Sequence, residues 1–160
     1  MSPDAPPRWA PPLTLGLALA GAAVAAYLTA EHYTSALTLA CPNTGTVNCA
    51  KVTTSAQAVF LGVPVAVLGL LWFLVLLPLM TGRVWRSPRR GLVRLRVVGT
   101  ALGIPAVLYL VYAELFEVRA VCLWCTAVHA LAVLLFAAVV LAEALRPVAD
   151  PQVTDQRRHV

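Results

Sequence analysis

Residues 120–142 read Ala-Val-Cys-Leu-Trp-Cys-Thr-Ala-Val-His-Ala-Leu-Ala-Val-Leu-Leu-Phe-Ala-Ala-Val-Val-Leu-Ala, a run with no Asp, Glu, Lys or Arg. A helix that crosses a membrane needs about 20 mostly apolar residues. This run supplies them, with the imidazole of His129 as its only nitrogen base. Working outward, Trp9 to Ala30 and Val52 to Gly82 are also uncharged, and Val97 to Ala113 is a shorter window ending at Glu114. The composition agrees: 60% of the 160 residues are hydrophobic and only 12% are charged. A soluble domain carries about a quarter charged residues, and a chain this short cannot hide so much apolar surface in one core. A soluble enzyme and a disordered chain are both excluded. The expectation is an all-α membrane protein, a four-transmembrane-helix bundle forming a single integral-membrane domain over 1–160. Its spans fall at about 12–33, 63–81, 96–116 and 121–145, with flexible tails at 1–11 and 147–160. The second window is too long for one helix. Its front part, Ser55 to Leu61, precedes Gly62 and Pro64 and reads as a short horizontal, re-entrant or surface-lying helix.

The basic residues orient the bundle. Arg8, the loop arginines Arg83, Arg86, Arg89, Arg90, Arg94 and Arg96, and Arg146, Arg157 and Arg158 lie on one side, against Lys51 and Arg119 on the other. The positive-inside rule then puts both termini in the cytoplasm of a multi-pass cell-membrane protein. This topology accounts for the net charge of +5. Few aromatics interleave with the arginines, as a single-strand-binding surface would need, so no nucleic-acid partner is expected. A cleaved signal peptide is the rival reading of the first span. Its length and its continuation into Tyr27, Glu31, His32 and Tyr33 argue against it.

All four cysteines, Cys41, Cys49, Cys122 and Cys125, fall on the outer (periplasmic or extracellular) side in this topology, where disulfides persist. Three pairings are open. Cys122-Leu123-Trp124-Cys125 opens the last span, and positions i and i+3 share a helix face. Unpaired N–H groups of a first turn favour a thiolate there, which thiol–disulfide exchange needs. Cys41 and Cys49 bracket Pro42 to Asn48, a turn-rich outer loop read as flexible. The bland readings are a structural loop staple, inert helix cysteines, or a four-cysteine metal site. Two pairs on one side, one of them a CxxC at a helix start, favour redox chemistry over all three, with no metal.

These residues resemble the vitamin K epoxide reductase family, particularly its bacterial homologues, from about Tyr27 to Leu145. The resemblance rests on Cys41, seven residues, Cys49, then Val52, Ser55, Phe60-Leu61-Gly62-Val63-Pro64, Gly69 and the late Cys122-x-x-Cys125. In the DsbB family the CxxC lies instead in the first outer loop. The resemblance implies a membrane thiol:quinone oxidoreductase that supports disulfide formation outside the cytoplasm. A thioredoxin-like (DsbA-like) partner would form a mixed disulfide with Cys41, Cys49 would pass electrons to Cys122, and Cys125 would adjoin a quinone of menaquinone or ubiquinone type. Ser55 matches a family serine near the site. The chain ends fourteen residues after Arg146, so the partner is expected to be a separate protein rather than a fused thioredoxin-like domain. The only asparagines are Asn43 and Asn48, inside the cysteine loop. The quinone-binding asparagine of animal members is therefore missing or replaced.

His129 stands where animal members place a tyrosine. At i+4 from Cys125 and i+7 from Cys122 it shares their face, and an ionisable residue inside a span is a functional candidate. It could bond a quinone carbonyl, polarise Cys125 or relay protons; the bland alternative is a bond to a neighbouring helix. Glu114 and Glu117 are expected to be solvated or paired with Arg119, and Glu31 and His32 likewise to be peripheral. Tyr109 and Tyr112 read as pocket or interfacial belt residues. The rival functions are a non-catalytic membrane scaffold with structural disulfides and a four-cysteine metal-binding membrane protein.

Overall fold

The computed structural model describes residues 5–34, 41, 44–87 and 89–146. The expected C-terminal tail 147–160 lies outside them, as do residues 1–4 and Pro42 and Asn43 of the cysteine loop. The chain is helical: α1 is Ala10–Thr34, α2 is Cys49–Thr53, α3 is Val65–Leu76, α4 is Gly82–Trp85, α5 is Arg90–Ala101, α6 is Gly103–Tyr112 and α7 is Leu123–Ala144. A 3₁₀ turn, Leu77–Met80, extends α3, and a π-helical turn, Ala113–Val118, extends α6. Among the described residues, three helical stretches are long and apolar enough to cross a membrane: Ala10–Thr34, Arg90–Val118 and Leu123–Ala144. Val65–Met80 is apolar but shorter.

The horizontal helix expected at Ser55 to Leu61 is not formed as such. The short helix at this end is α2, followed by a 3₁₀ turn at Ala56–Ala58 and a small antiparallel hairpin of β1, Val59–Phe60, and β2, Val63–Pro64. The reason is local. Leu61 and Gly62 both take positive φ, +50° and +81°, the backbone of a two-residue primed hairpin turn. Such a pair cannot continue a right-handed helix.

The bundle is built on small residues. The buried face of α1 is Ala10, Thr14, Ala18, Gly21, Ala22, Ala25 and Leu28, spaced three or four apart. Large side chains such as Leu13 and Leu19 on α1, Leu71 and Val75 on α3 and Leu134 and Leu141 on α7 stay exposed. That is the pattern of helices packed closely in lipid, where small residues let backbones approach and large apolar ones meet acyl chains. The principal neighbours of α1 are α7 and α3, and α5 packs on α7. A Cβ on Gly21 would lie 2.2 Å from Cε1 of the buried Phe73. Gly21→Ala is therefore expected to lower stability by about 1–3 kcal/mol through overpacking. Gly16→Ala, with nothing within 4 Å of its added carbon, should be neutral or better. Paired thermal melts in detergent would show the difference, and equal midpoints would refute the packing argument.

Between α5 and α6 the helix is interrupted at Leu102. Pro105 has no N–H for the carbonyl of Ala101. At the same break the indole N–H of Trp72 donates to the carbonyl of Gly99 at 2.9 Å. Gly103 leaves room for that ring, since a Cβ there would sit 2.5 Å from Trp72 Cζ2.

The two ends of the bundle differ in chemistry. At one end Arg96 is wholly buried beneath α4, its guanidinium 3.7 Å from the Trp85 ring centroid. It donates to the carbonyls of Leu79 and Val84 and pairs with Glu143, which also holds Arg146. Trp85 in turn donates its indole N–H to Thr14 Oγ1 at 3.1 Å. Arg96 is thus a fastener inside the bundle rather than a loop charge. The opposite end carries the hairpin and the cysteines.

Candidate active site

Cys41 and Cys49 form a disulfide, with Cα atoms 6.1 Å apart. Cys49 opens α2, whose N-terminus is capped by the Asn48 side chain accepting from Lys51 N–H at 2.9 Å. Cys49 is 2% exposed, whereas Cys41 is half-buried. The cysteine loop is tied down in its described part. Thr44 and Val47 exchange main-chain hydrogen bonds around Gly45. Val47 also bridges in parallel to Val121: Asn48 N–H donates to Val121 O at 3.1 Å, and Val121 N–H donates to Thr46 O at 2.9 Å. The sequence reading of a flexible loop missed this anchor, because one bridge between residues far apart in the chain leaves no local signature.

Val121 immediately precedes Cys122, so the anchor delivers the loop disulfide to the CxxC. Cys49 and Cys122 lie in one buried cluster with Val52, Val118 and Ala120, and Cys41, Trp124 and Cys125 pack on it. Cys122 and Cys125 are free thiols. Cys122 is the N-cap of α7, and its Sγ accepts from Cys125 N–H at 3.3 Å, an arrangement that suits a thiolate at a helix start. Trp124, between them, packs its ring 5.0 Å from that of Tyr27 on α1. The chain enters α7 through Arg119, whose left-handed φ of +52° turns it back from the π-helical segment. Ala120 N–H then donates to the carbonyl of Glu114.

Cys125 packs on this cluster and meets a second surface as well. It lines a cavity of about 500 Å³ with largely apolar walls, bordered by α1, α3, α6, α7 and the segment from Val52 to Val65. Ser55 and His129 also line it. The Ser55 hydroxyl donates to Val52 O at 2.7 Å, closing the turn after α2. His129 is 8% exposed, and its Nδ1 has no hydrogen-bond partner among the described residues. Buried polar atoms are normally paired, which singles out His129 among the residues of the cavity wall. The cavity has the volume of a small-molecule site. A quinone ring, flat, apolar and carrying two carbonyl oxygens, fits walls of this chemistry.

Glu114 was underrated from sequence. It is 6% exposed, lines the same cavity, and its carboxyl interacts with the Cys122 backbone N–H and the Cys125 thiol rather than with Arg119. Its position just before Glu117 and Arg119 read as a solvated helix end, and only the chain reversal at Arg119 folds it under the CxxC. Among the described residues no group of three or more His, Cys, Asp or Glu could hold a metal ion. Two of the four thiols that such a site would need are bonded to each other.

The sequence model of the vitamin K epoxide reductase family matches residues 12–140 of the 160. The chain belongs to the vitamin K epoxide reductase family. A search of curated proteins found no match. Membership makes the chain a membrane oxidoreductase in general terms. The disulfide and the adjacent cysteine pair fit the thiol–disulfide and quinone chemistry of the vitamin K epoxide reductase family.

Proposed function

We propose that the chain is a thiol:quinone oxidoreductase that oxidises a separate thioredoxin-like, DsbA-like protein and reduces a quinone of menaquinone or ubiquinone type. In this reading Val65–Met80 is the fourth span of a multi-pass bundle in the cell membrane. Both termini are cytoplasmic, the Arg96 end faces the cytoplasm and the cysteines lie outside. The observation that carries the reading is the Val47–Val121 bridge, which seats Cys49 beside Cys122 while Cys125 opens onto the cavity.

Electrons then have one path. A partner thiolate attacks the half-buried Cys41, breaking its bond to Cys49, and the partner's second thiol releases the mixed disulfide. Cys49, buried beside Cys122, attacks that sulfur when the CxxC is oxidised; Cys41 reforms the loop disulfide, and Cys122 and Cys125 become thiols. The bound quinone supplies a two-electron, two-proton acceptor. Cys125 presents its sulfur to the cavity, Cys122 reforms the disulfide with it, and His129 offers a hydrogen bond to a quinone oxygen. Ser55 holds the turn that roofs the site. Largely apolar walls surround the face of the reacting sulfur that meets the cavity.

The test is turnover by purified protein in detergent, with a reduced thioredoxin-like protein and a short-chain quinone followed by its absorbance. Quinone loss matched by partner oxidation supports the reading. No turnover with several partners and quinones, together with two unchanging thiol states, would leave a structural scaffold. A trapping experiment checks the order of the cysteines. Cys49→Ala leaves Cys41 as a lone thiol, which attacks the disulfide of the oxidised partner and, with no Cys49 to resolve the product, is expected to accumulate a partner adduct on non-reducing gels. Cys41→Ala should accumulate none, because its remaining Cys49 is buried.

A further inference from the structure

We infer that Glu114 is the base that takes the Cys125 proton and hands it to the reduced oxygen in the cavity. This deepens the thiol:quinone reading above and rests on it. Three observations converge on the residue. Its carboxyl is an electrostatic neighbour of both cysteines of the CxxC. It borders the cavity that Cys125 and His129 also border. It is 6% exposed with no cation paired to it among the described residues, where Glu143 is the acid that takes both arginine bridges. A carboxyl buried without a cation at the end of a membrane helix is costly, and such residues mark proton paths. The backbone that carries it is also unusual. Ala113–Val118 is a π-helical turn, a distortion frequent at functional sites, and it turns Glu114 toward the start of α7.

The step balances. Cys125 gives its proton to the Glu114 carboxylate, Cys122 reacts as the thiolate that its N-cap position favours, and the S–S bond between them forms as two electrons pass to the quinone. Glu114 returns its proton to one quinone oxygen, and the other oxygen takes a proton from the medium. One thiolate, one thiol, one proton and a quinone thus give one disulfide and one quinol, with Glu114 restored. The titratable groups around it are Cys122, Cys125 and His129 from α7, His32 from α1 and Tyr109 from α6. Lys51, Glu117 and Arg119 border an adjoining groove that shares Ser55, Gln57 and Val118 with the cavity.

The experiment measures kcat, KM and the pH profile of quinone reduction for the full-length chain and for Glu114→Gln and Glu114→Asp. General-base catalysis is worth about 10²–10⁴-fold, so Glu114→Gln is expected to lose about a hundredfold in kcat near neutral pH. Its rate should recover as rising pH ionises the thiol unaided, while KM for the quinone moves little. Glu114→Asp keeps a carboxyl set back from the thiol and should lose about tenfold. A purely structural role would not produce the altered pH profile or the graded rescue. Glu114→Gln with the wild-type kcat and pH profile overturns the inference, provided Cys125→Ala is inactive in the same assay, and the thiol:quinone reading then stands without it. Should Glu114→Gln fail to fold, a wild-type rate in Glu114→Asp overturns it equally. Absence of turnover in the unsubstituted chain overturns both.

Discussion

Cys125→Ala is expected to lose quinone reduction altogether, down to the uncatalysed rate between thiols and quinone. The expectation follows from where the two sulfurs of the CxxC point. Cys122 is fully buried beside Cys49 on the disulfide side and does not reach the cavity, whereas Cys125 is on the cavity wall. Removing Cys125 therefore severs the path at its last sulfur and leaves no thiol on the cavity wall to pair with Cys122. Residues that act as one unit lose several orders of magnitude when any member is removed. The loop disulfide should survive, because its geometry depends on the Val121 anchor and the Asn48 cap, neither of which uses Cys125. The measurement is quinone absorbance with a reduced thioredoxin-like protein, together with thiol counting on the same sample. The expected outcome is no turnover but a partner that still reduces Cys41–Cys49 once. Appreciable multiple turnover by Cys125→Ala would show that another group delivers the electrons.

The second large effect concerns folding at the other end of the bundle. Glu143→Ala leaves the Arg96 guanidinium wholly buried with only the carbonyls of Leu79 and Val84 and the Trp85 ring as partners. Breaking a buried pair by removing one partner costs about 3–5 kcal/mol, because an uncompensated charge remains inside. Replacing both, as Arg96→Met with Glu143→Ala, should restore much of that loss, since an apolar pair of similar volume carries no desolvation penalty. Thermal melts of the four proteins in one detergent form a double-mutant cycle. A Glu143→Ala midpoint equal to wild type, or a double variant no better than the single one, would remove Arg96 as the fastener of α3, α4, α5 and α7. Quinone reduction below the melting range should be unaffected in the folded fraction, since this cluster is remote from the cysteines.

Much of this molecule can be read from particular residues in order. The uncharged windows mark the helices, because the burial of apolar length is a property of local composition. The arginine asymmetry and the placement of Cys41, Cys49, Cys122 and Cys125 in the windows and loops name one end as the chemical one. The i+4 spacing of Cys125 and His129 puts both on one helix face whatever the neighbours do. Features that need a partner element were not legible. The turn after Phe60 is a separate case, a local break at Leu61 and Gly62 inside an apolar run that suggests a helix. Arg96 looks like a loop charge until Glu143, at the far end of another helix, is brought against it. Glu114 looks solvated until the left-handed Arg119 reverses the chain. Sequence by itself thus determined the helical membrane character, the family and the four sulfurs. The family resemblance implied that Cys122 meets the loop pair and Cys125 a ligand; only the tertiary structure decided the contacts, Cys122 in the cluster of Cys49 and Cys125 on the cavity wall. That arrangement depends on one backbone bridge between Val47 and Val121 and on the packing of helices distant in the chain, contacts that no local pattern of residues encodes.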